Sequence, residues 1–174
     1  MSINTGYLTA NRTTKRDEFF TPDYAVYPLL KYLDKELTVW CPFDKETSSY
    51  VQIFQKEGYN VIYSHLDEGK DFFEYEPNNY DIIISNPPFS KKDEIIKRLY
   101  ELGKSYCILV PLPTLQGQKR FKYMLDCQAL IFDKRISYYS DEGKTKMETS
   151  PAFASIYLCR KFLPRSLIFE KIQK

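Results

Sequence analysis

The sequence predicts a single α/β domain with a mainly parallel sheet and helices on both of its faces. Short apolar runs alternate with amphipathic segments along the chain, which is the pattern of right-handed βαβ units. The run at residues 80–85 is apolar almost throughout, so it is typical of a strand buried on both faces rather than of a half-exposed hairpin. A length of 174 residues fits one such domain and leaves little room for a second.

The first half of the chain is expected to alternate helices and strands. Thr21 is placed to cap a first helix that Pro22 opens, and the apolar spacing up to Leu33 gives this helix one buried face. Pro42 then stops the first strand, and Gly58 ends the second helix. In order, the predicted elements are a helix over 22–33, a strand over 38–43, a helix over 47–57 and strands over 59–64 and 80–85.

The second half continues the alternation and adds an antiparallel strand near its C-terminus. Gly103 ends an amphipathic helix, and prolines end the strand that follows it. A polar stretch joins the last two strands, which predicts an antiparallel strand at the C-terminal edge of the sheet. These elements are a helix over 91–102, a strand over 106–112, a helix over 118–125 and strands over 129–132 and 152–160.

Composition and terminal sequences indicate a cytoplasmic protein without a membrane partner. No stretch reaches the ~20 apolar residues of a membrane span, and the polar N-terminus lacks the apolar core of a secretory signal. The cysteines have no CxxC spacing, which indicates reduced thiols, and with a single histidine we expect no metal. Residues 1–18 are predicted to form a polar arm, residues 19–162 the domain and residues 163–174 a C-terminal tail.

Charge is distributed unevenly along the chain. Residues 1–90 contain 8 Lys and Arg against 14 Asp and Glu, whereas residues 91–174 contain 17 against 9. The resulting net charges, −6 and +8, hint at a polyanion that contacts the second half, although solvated lysines on helix faces explain the asymmetry equally well.

The residues that follow the strands mark one edge of the sheet as the ligand-binding edge. In parallel α/β sheets, ligands bind at the carboxyl ends of the strands. The segments at 42–44, 64–65, 86–89 and 111–113 all follow predicted strands, so we expect them to lie along this edge.

The tetrapeptide Asn86-Pro87-Pro88-Phe89 predicts a pocket for a planar amine. The amino group of adenine is a poor nucleophile, because its lone pair is delocalised into the ring. An Asn side-chain oxygen and a proline carbonyl can accept its two N–H bonds, orient the lone pair and stabilise the developing positive charge. Both prolines restrict φ, so the acceptors are preorganised, and the Phe ring offers a face for a flipped base.

With three further motifs, the tetrapeptide gives the chain a family resemblance. The motifs are Phe20-Thr21-Pro22, Cys41-Pro42-Phe43 and Asp71-Phe72. Over residues 16–162 the chain resembles the amino-methyltransferases that use S-adenosylmethionine, most closely the small phage- or prophage-type DNA adenine-N6 methyltransferases. The resemblance implies a Rossmann-like class I methyltransferase domain with residues 86–89 as its catalytic pocket. It also implies that the first two motifs contact the cofactor and that Asp71 holds the amino group of the cofactor's adenine.

Two stretches depart from this family's pattern. The turn after the first strand contains no glycine, and a cysteine stands where an acidic residue is usual. Small Ser48 and Ser49 still allow the cofactor to approach, and Asp44 is placed to replace the missing carboxylate. The second strand normally ends in an acidic residue that binds the ribose hydroxyls, and here His65 or Asp67 is expected to take that role.

The sequence-reading members of the family carry a separate target-recognition domain, and none is expected here. Candidate substrate contacts are therefore Lys91 and Lys92, Lys119 and Arg120, and the polar loop at 141–146. Basic residues at these places would hold phosphates in a salt-dependent way with little choice of sequence. Solvated surface is the alternative interpretation. A homodimer or a partner subunit is a further expected source of target recognition.

The resemblance implies methyl transfer from S-adenosylmethionine to the N6 amino group of adenine in DNA, in a bacterial or phage-infected cell. Two alternatives stay open. Related pockets serve enzymes that methylate RNA adenine or a glutamine amide of a protein. A domain without activity, acting as a nucleic-acid-binding or partner subunit, is the other alternative, and the glycine-free turn favours it.

Overall fold

A seven-stranded sheet forms the centre of the molecule. The computed structural model describes residues 19–147 and 153–173, so the predicted polar arm at residues 1–18 lies outside the described residues. The strands are β1 (Thr38–Cys41), β2 (Asn60–Tyr63), β3 (Ile82–Ser85), β4 (Ser105–Pro111), β5 (Gln128–Phe132), β6 (Ser155–Arg160) and β7 (Leu167–Glu170).

The sheet has the strand order β2-β1-β3-β4-β6-β5-β7. Strands β2, β1, β3 and β4 are parallel neighbours, β6 runs antiparallel to both β4 and β5, and β7 is parallel to β5. The predicted α/β class, its mainly parallel sheet and its antiparallel C-terminal strand are therefore confirmed. The antiparallel strand β6 lies inside the sheet rather than at its edge, because β5 and β7 extend the sheet beyond it.

The C-terminal segment belongs to the sheet. Residues 163–174 were expected to form a tail beyond the domain, but β7 pairs with β5 from Ala129↔Leu167 to Phe132↔Glu170, and Ile172 is buried in the core. Strand β7 has only four residues, and Leu167 and Phe169 are exposed, so its sequence lacks the pattern of a buried strand. The domain therefore continues past the predicted boundary at residue 162.

The first and the last of the four helices are shorter than predicted. They are α1 (Asp23–Val26), α2 (Ser49–Lys56), α3 (Lys92–Leu102) and α4 (Phe121–Met124). Pro22 itself is the N-cap residue of α1, and no side chain caps the helix, so the predicted Thr21 cap is wrong. The chain continues as a 3-10 helix over Tyr27–Lys31, because Pro28 has no N–H to extend the α-helical pattern. No helix within residues 19–147 and 153–173 is long and apolar enough to cross a bilayer.

Alternating side chains of the central strands cover both faces of the sheet. In β3, Ile82 and Ile84 pack in the cluster that contains α1 and α2, whereas Ile83 packs in the cluster that contains α3. In β1, Trp40 belongs to the α3 side. Burying each such side chain contributes about 1.5–3 kcal/mol, which explains why residues 82–84 are apolar without alternation. Helices therefore lie on both faces, as predicted.

Candidate active site

A pocket of about 430 Å³ lies at the carboxyl ends of β1, β2 and β3. Its wall includes residues from the turns that follow these strands, among them Pro42, His65 and Asn86. The parallel strand order places these three turns side by side, as the sequence predicts for a ligand-binding edge. The predicted site residues that line the pocket are Phe20, Thr21, Pro42, Asp44, Ser49, His65, Asp71, Phe72, Asn86, Pro88 and Lys91.

Six predicted site residues do not line this pocket: Pro22, Pro87, Phe89, Lys92, Lys119 and Arg120. Pro22 instead lines a neighbouring open groove. The segment at 111–113, which follows β4, is also absent from the pocket wall. The pocket thus forms on three of the four strand ends that the sequence places along one edge.

The side chain of Asn86 is held in one orientation. Its Nδ2 donates a hydrogen bond to the carbonyl oxygen of Phe19 at 2.7 Å. Its Oδ1 is buried and has no hydrogen-bond partner among the described residues. A buried acceptor without a donor costs about 1–3 kcal/mol, so this oxygen is a favourable place for an N–H group of a ligand.

The ring of Phe89 packs in a cluster of aromatic side chains. Phe19 stacks on it with ring centres 5.6 Å apart and an interplanar angle of 23°. Phe153 and Tyr138 contact Phe89 with their rings tilted steeply against it, at 5.5 and 6.3 Å. One face of the ring expected to stack on a base is therefore covered by Phe19. The sequence did not predict this cluster, because its rings come from four segments that are distant along the chain.

Serine side chains replace glycine in the turn before α2. Ser48 caps α2 by accepting a hydrogen bond from the N–H of Val51 at 3.3 Å. The buried Oγ of Ser49 lies 2.7 Å from the carbonyl oxygen of Thr21 and 2.5 Å from Oδ1 of Asp23. These contacts join the turn to the Phe20-Thr21-Pro22 segment. Thr21 itself is buried and lines the pocket.

Asp44 is a buried carboxyl group in the pocket wall. Only 6% of the residue is exposed, and the hydroxyl of Ser85 donates a hydrogen bond to its Oδ2. Burial raises the pKa of Asp44 to about 6, against the lowering effects of Ser85, Ser48 and Lys144. This carboxyl group therefore changes its charge close to neutral pH.

The raised pKa of Asp44 makes the stability of the fold depend on pH. Between the ordinary pKa of 3.8 and about 6, the folded protein binds a proton that the unfolded chain has released. The free energy of unfolding should therefore fall as the pH rises through this range and then level off. Asp44→Asn keeps an acceptor for Ser85 and removes the charge, so it should raise the free energy of unfolding at pH 7.5 by about 2–3 kcal/mol.

Urea denaturation of both proteins at pH 4, 5, 6 and 7.5 measures this effect. The parent and Asp44→Asn should be equally stable at pH 4 and diverge above it. The exposed Asp34 provides the matched control variant Asp34→Asn, which makes the same substitution at the surface. If the free energies of unfolding of the parent and Asp44→Asn had the same pH dependence over the whole range, the raised pKa of Asp44 would be contradicted.

The far side of the pocket is formed by residues 65–73. Oδ1 of Asp71 accepts a hydrogen bond from the N–H of Phe73 at 2.9 Å, and Nδ1 of His65 accepts one from the N–H of Asp67 at 3.1 Å. Phe72 is buried and packs against Phe43 with ring centres 4.8 Å apart. A ligand on this side meets an aromatic wall, an imidazole and a carboxylate.

Of the four basic residues predicted to contact the substrate, Lys91 alone lines the pocket. The Nζ of Lys92 is 3.5 Å from the carbonyl oxygen of Phe89, and Lys119 is exposed away from the pocket. Arg120 does not fit its predicted role, because the residue is 9% exposed. Its guanidinium donates to the carbonyl oxygens of Thr114 and Gln116 at 2.6 Å each and pairs with the carboxylate of Asp93. Arg120 therefore holds the loop after β4 rather than a phosphate.

The polar loop at 141–146 packs against the turn before α2. Oε1 of Glu142 accepts a hydrogen bond from the hydroxyl of Thr47 at 3.2 Å, and Nζ of Lys144 lies 2.8 Å from Oγ of Ser49. The sequence predicted this loop to reach a nucleic acid, whereas here Glu142 and Lys144 form part of the pocket wall.

Comparison with known proteins identifies the fold. No protein-family model matches the sequence, and no curated protein matches it either. The chain resembles the methyltransferase subunit of a type I restriction-modification system from Streptococcus thermophilus, with a TM-score of 0.50 and 12% identity over 88% of this chain and 47% of that chain. A dimethyladenosine transferase from Plasmodium falciparum gives a TM-score of 0.49 and 10% identity over 85% of this chain and 64% of that chain. This chain thus spans less than two thirds of either structure, and its fold is that of Rossmann-like methyltransferases.

Proposed function

We propose that this chain transfers a methyl group from S-adenosylmethionine to the N6 amino group of adenine in DNA. In this proposal, Asn86 and the carbonyl of Pro87 orient the amine, and Phe89 contacts the base. The pocket beside them holds the methyl donor, whose bound sulfonium supplies an electrophilic methyl group.

The unpaired Oδ1 of Asn86 is the observation that carries the proposal. The amide oxygen of Asn86 is buried at the end of a central strand, and a bond from Nδ2 to Phe19 fixes the amide so that this oxygen presents an unused acceptor. A neutral N–H group satisfies it, whereas a carbonyl or a carboxylate does not. The chemistry of this position therefore favours an amino group as the substrate.

The pocket residues fit S-adenosylmethionine in size and in chemistry. A volume of about 430 Å³ lies within the usual range of about 300–1,000 Å³ for ligand sites. Phe43 and Phe72 offer an apolar wall for a purine, and Asp71 offers a carboxylate for its amino group. Asp44 and Lys144 supply opposite charges for a ligand that carries both an ammonium and a carboxylate.

Asn86 would act on the amine as its charge changes during the reaction. The nitrogen gains positive charge when it forms a bond to carbon, and its N–H groups then become stronger donors. A fixed acceptor such as Oδ1 of Asn86 therefore binds the transition state more tightly than the ground state, which lowers the barrier. The proton leaves after transfer, when the nitrogen is cationic and strongly acidic, so this proposal requires no general base beside the amine.

DNA is the proposed source of the adenine. Lys91 in the pocket wall and the positive second half of the chain support a polyanionic substrate. The Streptococcus thermophilus protein with a similar fold is a subunit of a restriction-modification system. This supports a partner subunit or a second copy as the source of target recognition. RNA adenine and a protein glutamine amide remain the alternative substrates.

Parallel transfer reactions test the proposal. Incubation with methyl-labelled S-adenosylmethionine should label duplex DNA, and digestion should recover the label in N6-methyladenine. A duplex made only of G·C pairs is the matched control and should stay unlabelled. Label found only in RNA or only in protein would replace DNA with that substrate.

Calorimetric titration separates an enzyme from an inactive subunit. We expect S-adenosylmethionine to bind the protein in the absence of DNA, because the pocket is formed by the chain itself. A protein that binds DNA but shows no heat with millimolar S-adenosylmethionine would support the inactive subunit and overturn the proposal.

A further inference from the structure

The loop at 140–147 contacts the glycine-free turn and contributes Glu142 and Lys144 to the pocket wall. Tyr139 pairs with Phe20 through two backbone hydrogen bonds of 3.1 and 2.9 Å, which anchors the start of the loop beside the Phe20-Thr21-Pro22 segment. Asp141 accepts hydrogen bonds from the N–H groups of Thr145 and Lys146 at 3.0 and 2.8 Å. The loop is therefore a folded turn with its own internal bonds.

Lys144 points its ammonium group at the start of α2. Its Nζ lies 2.8 Å from Oγ of Ser49 and 3.6 Å from Oδ1 of Asp23, and its side chain is 26% exposed. Its backbone φ of 55° lies in the left-handed region, which is strained for a residue other than glycine. Lysine thus occupies a position where glycine or asparagine would be less strained.

The groups around Lys144 form an anion site inside the pocket. Thr21 lines the pocket, and only 6% of the residue is exposed. The first N–H groups of α2, an eight-residue helix, start at Ser49, which also lines the pocket. An ammonium group and a helix N-terminus both favour a negative group.

We propose that Lys144 binds the carboxylate of the amino-acid part of S-adenosylmethionine. This inference rests on the proposed function. In a glycine-rich turn the backbone itself would contact the cofactor, whereas here a side chain from a distant loop makes the contact. The turn at residues 43–49 cannot approach the cofactor as closely as glycine allows, because each of its residues carries a Cβ. A cation from the loop compensates, since a charged side chain reaches the carboxylate from the other side.

A pair of ligands that differ in the amino-acid part isolates this contact. S-adenosylhomocysteine carries the carboxylate, whereas 5′-methylthioadenosine has the same adenosine and thioether and lacks the amino-acid part. Lys144→Met should weaken S-adenosylhomocysteine binding about 10- to 100-fold, the value of one charge-assisted hydrogen bond. It should leave the affinity for 5′-methylthioadenosine unchanged, which also shows that the variant is folded.

Two further variants control for backbone and charge. Lys144→Gly tolerates the positive φ and should show the same selective loss, so strain in the loop is not the cause. Lys146→Met removes the same charge from the same loop, but the side chain of Lys146 does not line the pocket, so both affinities should match the parent.

The outcomes distinguish this inference from the proposed function. If the parent binds neither ligand, the proposed cofactor itself is wrong. If the parent binds both and Lys144→Met binds both as tightly as the parent, or loses both equally, the assignment of Lys144 is wrong and the proposed function stands. Weaker DNA binding by Lys144→Met with unchanged S-adenosylhomocysteine affinity would assign the lysine to a phosphate and also overturn the inference.

Discussion

Asn86→Ala should lower the rate of methyl transfer about 100- to 1,000-fold, the usual effect of removing one preorganised group that stabilises a transition state. The variant loses the buried Oδ1 that would accept the amine N–H. Because this contact is expected to strengthen as the nitrogen becomes positive, the loss should fall on kcat and not on the affinity for the cofactor. Single-turnover transfer to DNA and calorimetric titration with S-adenosylhomocysteine measure the two quantities.

Two other asparagine variants refine this test. Asn86→Asp keeps an oxygen acceptor toward the substrate, but its second oxygen faces the carbonyl of Phe19 where Nδ2 now donates at 2.7 Å. We expect it to transfer faster than Asn86→Ala and to unfold more easily than the parent. Asn79 is exposed, and Asn79→Ala should have the parent's rate. A rate for Asn86→Ala within about threefold of the parent would show that the tetrapeptide does not form the catalytic pocket, since such a change is far below the effect expected for this group.

Arg120→Ala should lower the free energy of unfolding by about 2–4 kcal/mol, because it removes a buried cation together with its hydrogen bonds. The lost bonds join Nε to the carbonyl oxygen of Thr114, Nη2 to that of Gln116, and Nη1 to the carboxylate of Asp93. Urea denaturation at pH 7.5 measures the change. Lys119→Ala removes the neighbouring exposed cation and should change stability by less than about 0.5 kcal/mol.

A substitution of Gly117 also tests the structural role of Arg120. A Cβ at Gly117 would lie 2.6 Å from Cζ of Arg120, so the guanidinium would have to leave its carbonyl partners. Gly117→Ala should therefore destabilise the fold as well. If Arg120→Ala instead kept its stability and lost affinity for DNA in a salt-dependent way, the phosphate-binding role predicted for this residue would be restored.

The fold was largely predictable because its signals are local. Strands β1, β3 and β4 are apolar runs, and glycines follow α2 and α3. Such runs and chain reversals depend on residues that are neighbours in the sequence, so a sequence pattern predicts them. Strand β7 was missed, because four residues with exposed Leu167 and Phe169 have no buried-strand pattern of their own. Strand β7 forms because it pairs with β5, and the paired residues of the two strands are nearly forty positions apart in the chain.

By itself, the sequence determined the fold class, the strand ends that meet at one edge, and Asn86-Pro87-Pro88-Phe89 as the candidate amine pocket. Only the tertiary structure decided which way the amide of Asn86 faces and that Phe19 covers the ring of Phe89. It also placed Lys144 against Ser49, 95 residues away, and buried Arg120 among carbonyl groups. The physical reason is that strand ends follow from local patterns, whereas side-chain partners depend on packing between distant segments, which leaves no periodic signal in the chain.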